Sequence, residues 1–260
     1  MMYEEIRARV ALVRSGLSGV DYALNPYVGC EHDCVYCYGP YVIKRDRKNW
    51  GRIVRVKRNL PYILSKEIKR VRGIITIGTV TDAYQPAERK YEITRMCLRV
   101  LHRANVGIRI LTKSSLISRD IDMLEKFQDI HIGVTITTLN PEVSKVIEPN
   151  SSLPAERLKA LIDMPKNIVR YLFVGPIIPE VFSVDDVIEA VQRLSGSGLD
   201  YIIFDKLRVR GDIYERLSLI LRDVGLSLPD ISGLNRYYRN IKANILKALS
   251  DYNIPIFFEF

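Results

Sequence analysis

The chain has 260 residues, 47% of them hydrophobic, and carries 39 Lys and Arg against 30 Asp and Glu, a formal charge of +9. That length and apolar fraction suffice for the core of one barrel-sized domain, which excludes a disordered tail or a small disulfide scaffold. No run of about eighteen apolar residues occurs, and acids in the N-terminal MMYEEIRARV stand where a signal peptide needs a basic and then an apolar stretch. A cytoplasmic location, where thiols stay reduced, and no membrane partner are the expectation.

In chain order, a weak strand candidate at Asp21 to Val28 runs into Asn25-Pro-Tyr-Val-Gly-Cys-Glu-His-Asp-Cys-Val-Tyr-Cys-Tyr-Gly39, which packs three of the four cysteines into eight residues. Cys30, Cys34 and Cys37 follow a Cys-x3-Cys-x2-Cys pattern. Three thiolates on one loop each ligate one iron of a 4Fe-4S cluster and leave the fourth iron open to another ligand. The alternative is a Cys3His zinc site completed by His32, although zinc ligands usually arrive as two separated pairs. Disulfides are disfavoured, since three clustered cysteines cannot pair off.

Next comes Lys44 to Arg72, with twelve basic residues against Asp46 and Glu67 and the only tryptophan, Trp50. Beyond it, short apolar runs rich in Val, Ile and aromatics alternate with amphipathic ones. The runs Ile74 to Val80, Ile108 to Thr112, Ile130 to Thr137, Ile168 to Val174 and Leu199 to Phe204 read as parallel strands buried on both faces. Between them, Ala87 to Ala104, Ser118 to Phe127, Leu153 to Asp163 and Val184 to Leu194 show apolar residues at helical spacing. Cys97, on the apolar stripe of the first of these, reads as a core thiol. Six strand and helix units predict an α/β fold, a partial (β/α)6 barrel over residues 1–207. Arg208 to Phe260 holds two further helical segments and an apolar Ile254-Pro-Ile-Phe-Phe, read as a C-terminal extension packed on the same domain.

Strand carboxyl ends carry the chemistry in such folds, and polar residues stand there. Gly78, Thr79, Thr81 and Asp82 end the second strand, Lys113 and Ser114 the third, and Thr135 and Thr137 alternate onto one face of the fourth. An ordinary turn, a solvated lysine and plain strand threonines are the structural readings of the same residues.

With Tyr36 before the last cysteine, the loop reads Cys-x3-Cys-x-aromatic-Cys and resembles the signature of the radical S-adenosylmethionine superfamily. Asn25-Pro26-Tyr27, Cys37-Tyr38, Gly78 to Glu88, Leu111 to Ser114, Ile147-Glu-Pro149 and Glu156-Arg-Leu158 are similar to its spore photoproduct lyase-like branch, over residues 20 to 205. The resemblance implies a 4Fe-4S cluster on Cys30, Cys34 and Cys37, with S-adenosylmethionine on the open iron. A one-electron reduction would then release methionine and a 5'-deoxyadenosyl radical that abstracts hydrogen from a substrate. It further implies that Tyr36 packs beside the adenine, that the Gly78 to Asp82 turn accepts from the methionine amino group, and that Lys113 pairs with its carboxylate. Thr135 and Thr137 would serve the ribose, Val174 to Pro179 would bracket the adenine, and Tyr38 would stand beside the substrate as a radical relay or a packed ring. A reducing partner such as a ferredoxin or flavodoxin follows.

One departure limits the resemblance. Where spore photoproduct lyases carry a hydrogen-donor cysteine, this chain has no sulfur near Val80 before Thr81-Asp82, so thymine-dimer repair is not expected. A non-catalytic iron-sulfur electron carrier or redox sensor is the alternative class, against which stands the lack of a fourth clustered cysteine followed by proline. The basic segment, interleaved with Trp50 and expected near the mouth of the site, offers phosphate neutralisation and a stacking face for nucleic acid. A solvated charged face is the other reading.

Overall fold

A computed structural model describes residues 1–260. The chain runs β1 (Met2–Ile6), β2 (Leu12–Arg14), β3 (Tyr22–Leu24), β4 (Tyr27–Val28), α1 (Gly39–Val42), β5 (Ile53–Lys57), α2 (Leu60–Glu67) and β6 (Ile74–Ile77). It continues through α3 (Ala87–Tyr91), α4 (Ile93–Leu101), β7 (Gly107–Thr112), α5 (Ile121–Leu124), β8 (Ile130–Thr135), α6 (Pro141–Ile147) and α7 (Pro154–Ile162). The last elements are β9 (Val169–Ile177), α8 (Val184–Leu194), β10 (Tyr201–Lys206), α9 (Ile213–Asp223), α10 (Ile231–Ala248) and β11 (Ile256–Phe258).

Strands β3, β6, β7, β8, β9 and β10 lie side by side and parallel, so the partial (β/α)6 barrel is formed. Antiparallel β2 extends one edge and parallel β11 the other, and the two edges do not pair, which leaves the barrel open. Strands such as β7 bury alternate residues fully and the rest partly, because helices cover the outer face. In α8 the spacing of Val187, Ala190, Val191 and Leu194 gives one buried stripe, and the Ser183 side chain caps the helix by accepting from the Asp185 N–H. Helices α9 and α10 place Leu217, Leu221, Leu234 and Ile241 in the same core cluster as the barrel strands.

Three differences from the expected elements have local causes. The helix predicted over Ala87 to Ala104 is two, divided at Glu92, which adopts a left-handed conformation with φ of 50°. The buried Glu88 carboxylate accepts from the N–H groups of Thr94 and Arg95, satisfying the start of α4 from the preceding helix and stabilising the break. The segment Ser118 to Phe127 begins instead as a 3-10 turn over Ser115–Asp120 before α5. Third, a separate sheet in the order β1, β5, β4 forms at the N-terminal side. Its central strand lies inside the basic segment, where Val54 and Val56 point to the core and Arg55 and Lys57 outward.

Candidate active site

The cysteine loop leaves the small sheet at β4, and each of its turns is fixed by another element. Gly29 has φ of 92°, and a Cβ there would lie 2.4 Å from the Ile53 carbonyl oxygen, so only glycine fits. Its own carbonyl accepts from the Thr81 hydroxyl at 2.6 Å and the Gln85 amide at 3.2 Å. Gln85 also accepts from the Glu31 N–H at 2.9 Å, and the Glu31 carboxylate in turn accepts from Ala87 N–H and Tyr3 Oη. Farther along, the Val35 N–H donates to the Ile147 carbonyl at 2.9 Å, while Arg216 of α9 donates to the Val35 carbonyl at 2.8 Å. The loop is a preorganised part of the fold.

Cys30 and Cys34 are buried and Cys37 is half-buried, and all three line one pocket. Burial pushes the Cys34 thiol up to about 12 and those of Cys30 and Cys37 in the same direction. A metal must therefore displace these protons when it binds. No three His, Cys, Asp or Glu side chains converge on one point as a zinc site would require. His32 instead faces Asp82, with Nδ1 3.3 Å from the carboxylate. A 4Fe-4S cluster would take one thiolate on each of three of its irons. Cys97 is fully buried in α4 and lies outside the pocket lining.

The pocket, of about 200 Å³, lies at the carboxyl ends of the barrel strands. Tyr36, Tyr38, Gly78, Thr79, Thr81, Asp82, Lys113 and Thr135 all line it, as do Gly175 and Pro176. Gly78 ends β6 with φ of 86°, and a Cβ there would lie 2.8 Å from the Thr81 carbonyl oxygen. The side chains of this turn differ from the expected acceptors, because each is engaged in holding the turn. Asp82 accepts from Thr112 Oγ1, Lys113 N–H and Tyr84 N–H, Thr79 is bonded to Asn25, and Thr81 donates to Gly29. Burial alone would raise the Asp82 carboxyl, but His32 and these donors hold it well below the usual range. The carbonyls of Gly78, Thr79 and Val80 accept no backbone hydrogen bond and are the available acceptors.

Lys113, at the end of β7, forms no salt bridge, and its Nζ lies 5.7 Å from the Tyr36 ring centroid. Burial pushes its ammonium down, but Cys34 and Glu148 outweigh that and keep it above the ordinary value. Thr135 Oγ1 is buried without a hydrogen-bond partner, a donor left for a ligand by the usual rule that buried polar groups are paired. Thr137 and Ser114 are placed differently from expectation. Both are buried outside the pocket lining; Thr137 donates to Glu148 at 2.8 Å, and Ser114 caps the 3-10 turn by accepting from Leu116 N–H. The alternation argument fails because β8 ends at Thr135 and the chain turns before Thr137.

Beneath the loop lies a buried ion pair, Glu148 with Arg157, at 2% and 0% exposure. Tyr36 Oη donates to Glu148, while Arg157 also donates to the carbonyls of Ser152 and Thr135. Burial pushes the Glu148 carboxyl up, but Arg157 and Lys113 hold it below its usual value. This explains the Ile147-Glu-Pro149 and Glu156-Arg-Leu158 segments as supports of the cysteine loop. On the opposite wall stand Asp205, Lys206, Leu207 and Arg208, which sequence reasoning missed. Their signal was a polar run directly after an apolar strand, as at Thr112-Lys113.

The basic segment contributes nothing to this pocket's lining. Trp50 is 3% exposed and packs beside Gly39 and the Asn49 turn, so it offers no stacking face. Arg55 pairs with Glu4 at 2.7 Å, Arg47 with Asp33, and Lys57 donates to the Asn25 carbonyl. Lys44, Arg45, Lys48, Arg52, Lys66, Lys69, Arg70 and Arg72 remain exposed.

The fold is an open parallel barrel with a three-cysteine loop and a polar rim at its strand ends. The radical SAM superfamily model matches residues 24–204, and this chain belongs to that superfamily of enzymes. An uncharacterized protein of Methanocaldococcus jannaschii is 36% identical over 186 residues, covering 71% of each chain. Another, from Acidianus two-tailed virus, is 28% identical over 217 residues, 77% of this chain and 71% of that one. Among solved structures, spore photoproduct lyase complexed with dinucleoside spore photoproduct matches with a TM-score of 0.75 at 14% identity, covering 99% of this chain and 82% of that one. Streptococcus suis SuiB bound to S-adenosylmethionine matches at 0.60 and 14% identity, covering 92% and 50%. At these identities the structural likenesses establish the shared fold. No helix is long and apolar enough to cross a membrane.

Proposed function

We propose that the pocket holds a 4Fe-4S cluster on Cys30, Cys34 and Cys37 with S-adenosylmethionine on the open iron, and that the enzyme abstracts hydrogen from a substrate at the barrel mouth. When bound, the two cofactors supply one-electron cleavage of the sulfonium to a carbon radical. The observation that carries this reading is the convergence in one pocket of the three thiols, an ammonium without a salt bridge at Lys113, and an unpartnered hydroxyl at Thr135.

The chain's own part is placement and exclusion of water. Lys113 takes the methionine carboxylate, the carbonyls of Gly78, Thr79 and Val80 take its amino group, and Thr135 Oγ1 takes a ribose hydroxyl. Gly175 and Pro176 bracket the adenine on one side and Tyr36 on the other. Cysteine in the pocket is confined to the three cluster ligands, and Val80 stands where the lyase-like branch carries a donor thiol. Hydrogen return through a dedicated thiol is therefore not part of this reading, and Tyr38, which lines the pocket, is assigned to contact the substrate.

A low-potential donor such as ferredoxin or flavodoxin supplies the electron, and the exposed part of Lys44 to Arg72 is a platform for nucleic acid. Calorimetric titration of the reconstituted protein with S-adenosylmethionine tests the site. Binding that requires the cluster and weakens in Lys113→Ala supports it, whereas binding unaffected by loss of the cluster overturns it.

A further inference from the structure

The far wall of the pocket, at the end of β10, stands beside an irregularity in β9. Between the Phe204–Val174 and Lys206–Ile177 pairs, β9 has two residues, Gly175 and Pro176, against the single Asp205 of β10, so the extra residue lies in β9. A regular strand sends successive side chains to opposite faces, but the ladder is broken beside the β9 bulge and β10 ends at Lys206. Here Asp205, Lys206, Leu207 and Arg208 all line the same pocket as the cysteines. Gly175, on the neighbouring strand, leaves room for this, since a Cβ there would meet the Phe173 ring at 2.6 Å and the Asp205 carbonyl oxygen at 3.3 Å.

The charges on this wall are unevenly matched. Asp205 accepts from Arg208 at 3.0 and 3.2 Å and from the Lys206 N–H at 2.9 Å, and Arg208 also donates to the Glu259 carbonyl. The carboxylate is thus spent on the arginine and the backbone. The Lys206 ammonium makes no salt bridge, its nearest aromatic being the Phe260 ring with Nζ 6.0 Å from the centroid. Lys113, the other pocket lysine, sits on β7, three strand spacings away or about 14 Å across the sheet. The pocket therefore has a second cationic point, left over after the cofactor carboxylate is matched to Lys113.

We propose that the end of β10, opposite the extra residue of β9, is a phosphate-binding wall, with Lys206 receiving a phosphate group of the substrate and Arg208, held by Asp205, flanking it. A compact ammonium suits a phosphate as a point charge, and the guanidinium that would grip a planar carboxylate in two-pronged fashion is already tied down. This rests on the cofactor reading of the same pocket.

The test is calorimetry on the cluster-reconstituted, S-adenosylmethionine-loaded protein with matched probes: thymidine and thymidine 5'-monophosphate, ribose and ribose 5-phosphate, inorganic phosphate, and succinate. The phosphorylated member of each pair is expected to bind about tenfold or more tightly than its partner, as a charge-assisted contact gives. Lys206→Gln should erase that preference and Lys206→Arg should keep most of it, while both retain S-adenosylmethionine affinity. Phosphate binding alone would point to a free anion, and the nucleotide and sugar phosphate arms separate the two carriers. Equal binding within pairs, no binding of any phosphorylated probe, preference for succinate, or a preference that survives Lys206→Gln would overturn the proposal. Failure of the wild type to bind S-adenosylmethionine would instead count against the cofactor reading.

Discussion

At the scale of single residues, the pocket sorts side chains that look alike in sequence. Cys30, Cys34 and Cys37 share it, and Cys97 is sealed in α4. Changing any of the first three to Ala should abolish the cluster absorbance after anaerobic reconstitution, while Cys97→Ala leaves it intact. Lys113 and Lys206 both end strands and both lack a salt bridge, unlike the surface Lys159, which pairs with Asp163. Lys113→Ala should weaken S-adenosylmethionine binding by about 1.5 to 3 kcal/mol without loss of iron, the worth of a charge-assisted hydrogen bond. Unchanged affinity by calorimetry would show that the ammonium does not touch the cofactor.

At the scale of elements, the cysteine loop stays shaped because the segments that follow β6 and α6, together with α9, grip it through Thr81, Gln85, Glu148 and Arg216. The Glu148 and Arg157 pair behind it is fully buried, and removing one partner strands the other's charge. Arg157→Met should cost about 3 to 5 kcal/mol in denaturant unfolding; a loss below about 1 kcal/mol would mean the pair is not a support. Periodicity made most elements legible: α8 spans the predicted residues, and each apolar run became a strand. What it could not show were breaks made by tertiary contacts, such as the Glu88 carboxylate opening the helix at Glu92. Nor could it show β5, whose Val and Arg alternation was masked by the charge of the basic run. Strand ends were read one turn too far at Thr137, which is why that threonine was placed in the pocket.

At the scale of the whole molecule, the cluster motif carried more than composition did, because ligand spacing on one loop is local. The charge segment shows the opposite case, since pairing and burial are decided by partners far along the chain. Trp50 is enclosed, and Arg55 and Lys57 are engaged, yet a basic surface remains at Lys44, Arg45, Lys69 and Arg70. Labelled single-stranded DNA or RNA should bind with an affinity that falls steeply with salt, and neutralising those four together should remove it. Absence of binding at low salt would assign the segment to a solvated face.

The most direct test of the account is to reduce the fully reconstituted protein anaerobically with S-adenosylmethionine present and analyse the products by chromatography. Slow release of 5'-deoxyadenosine and methionine, lost in the Cys34→Ala variant, is the predicted result; a complete cluster that yields neither would contradict the central claim.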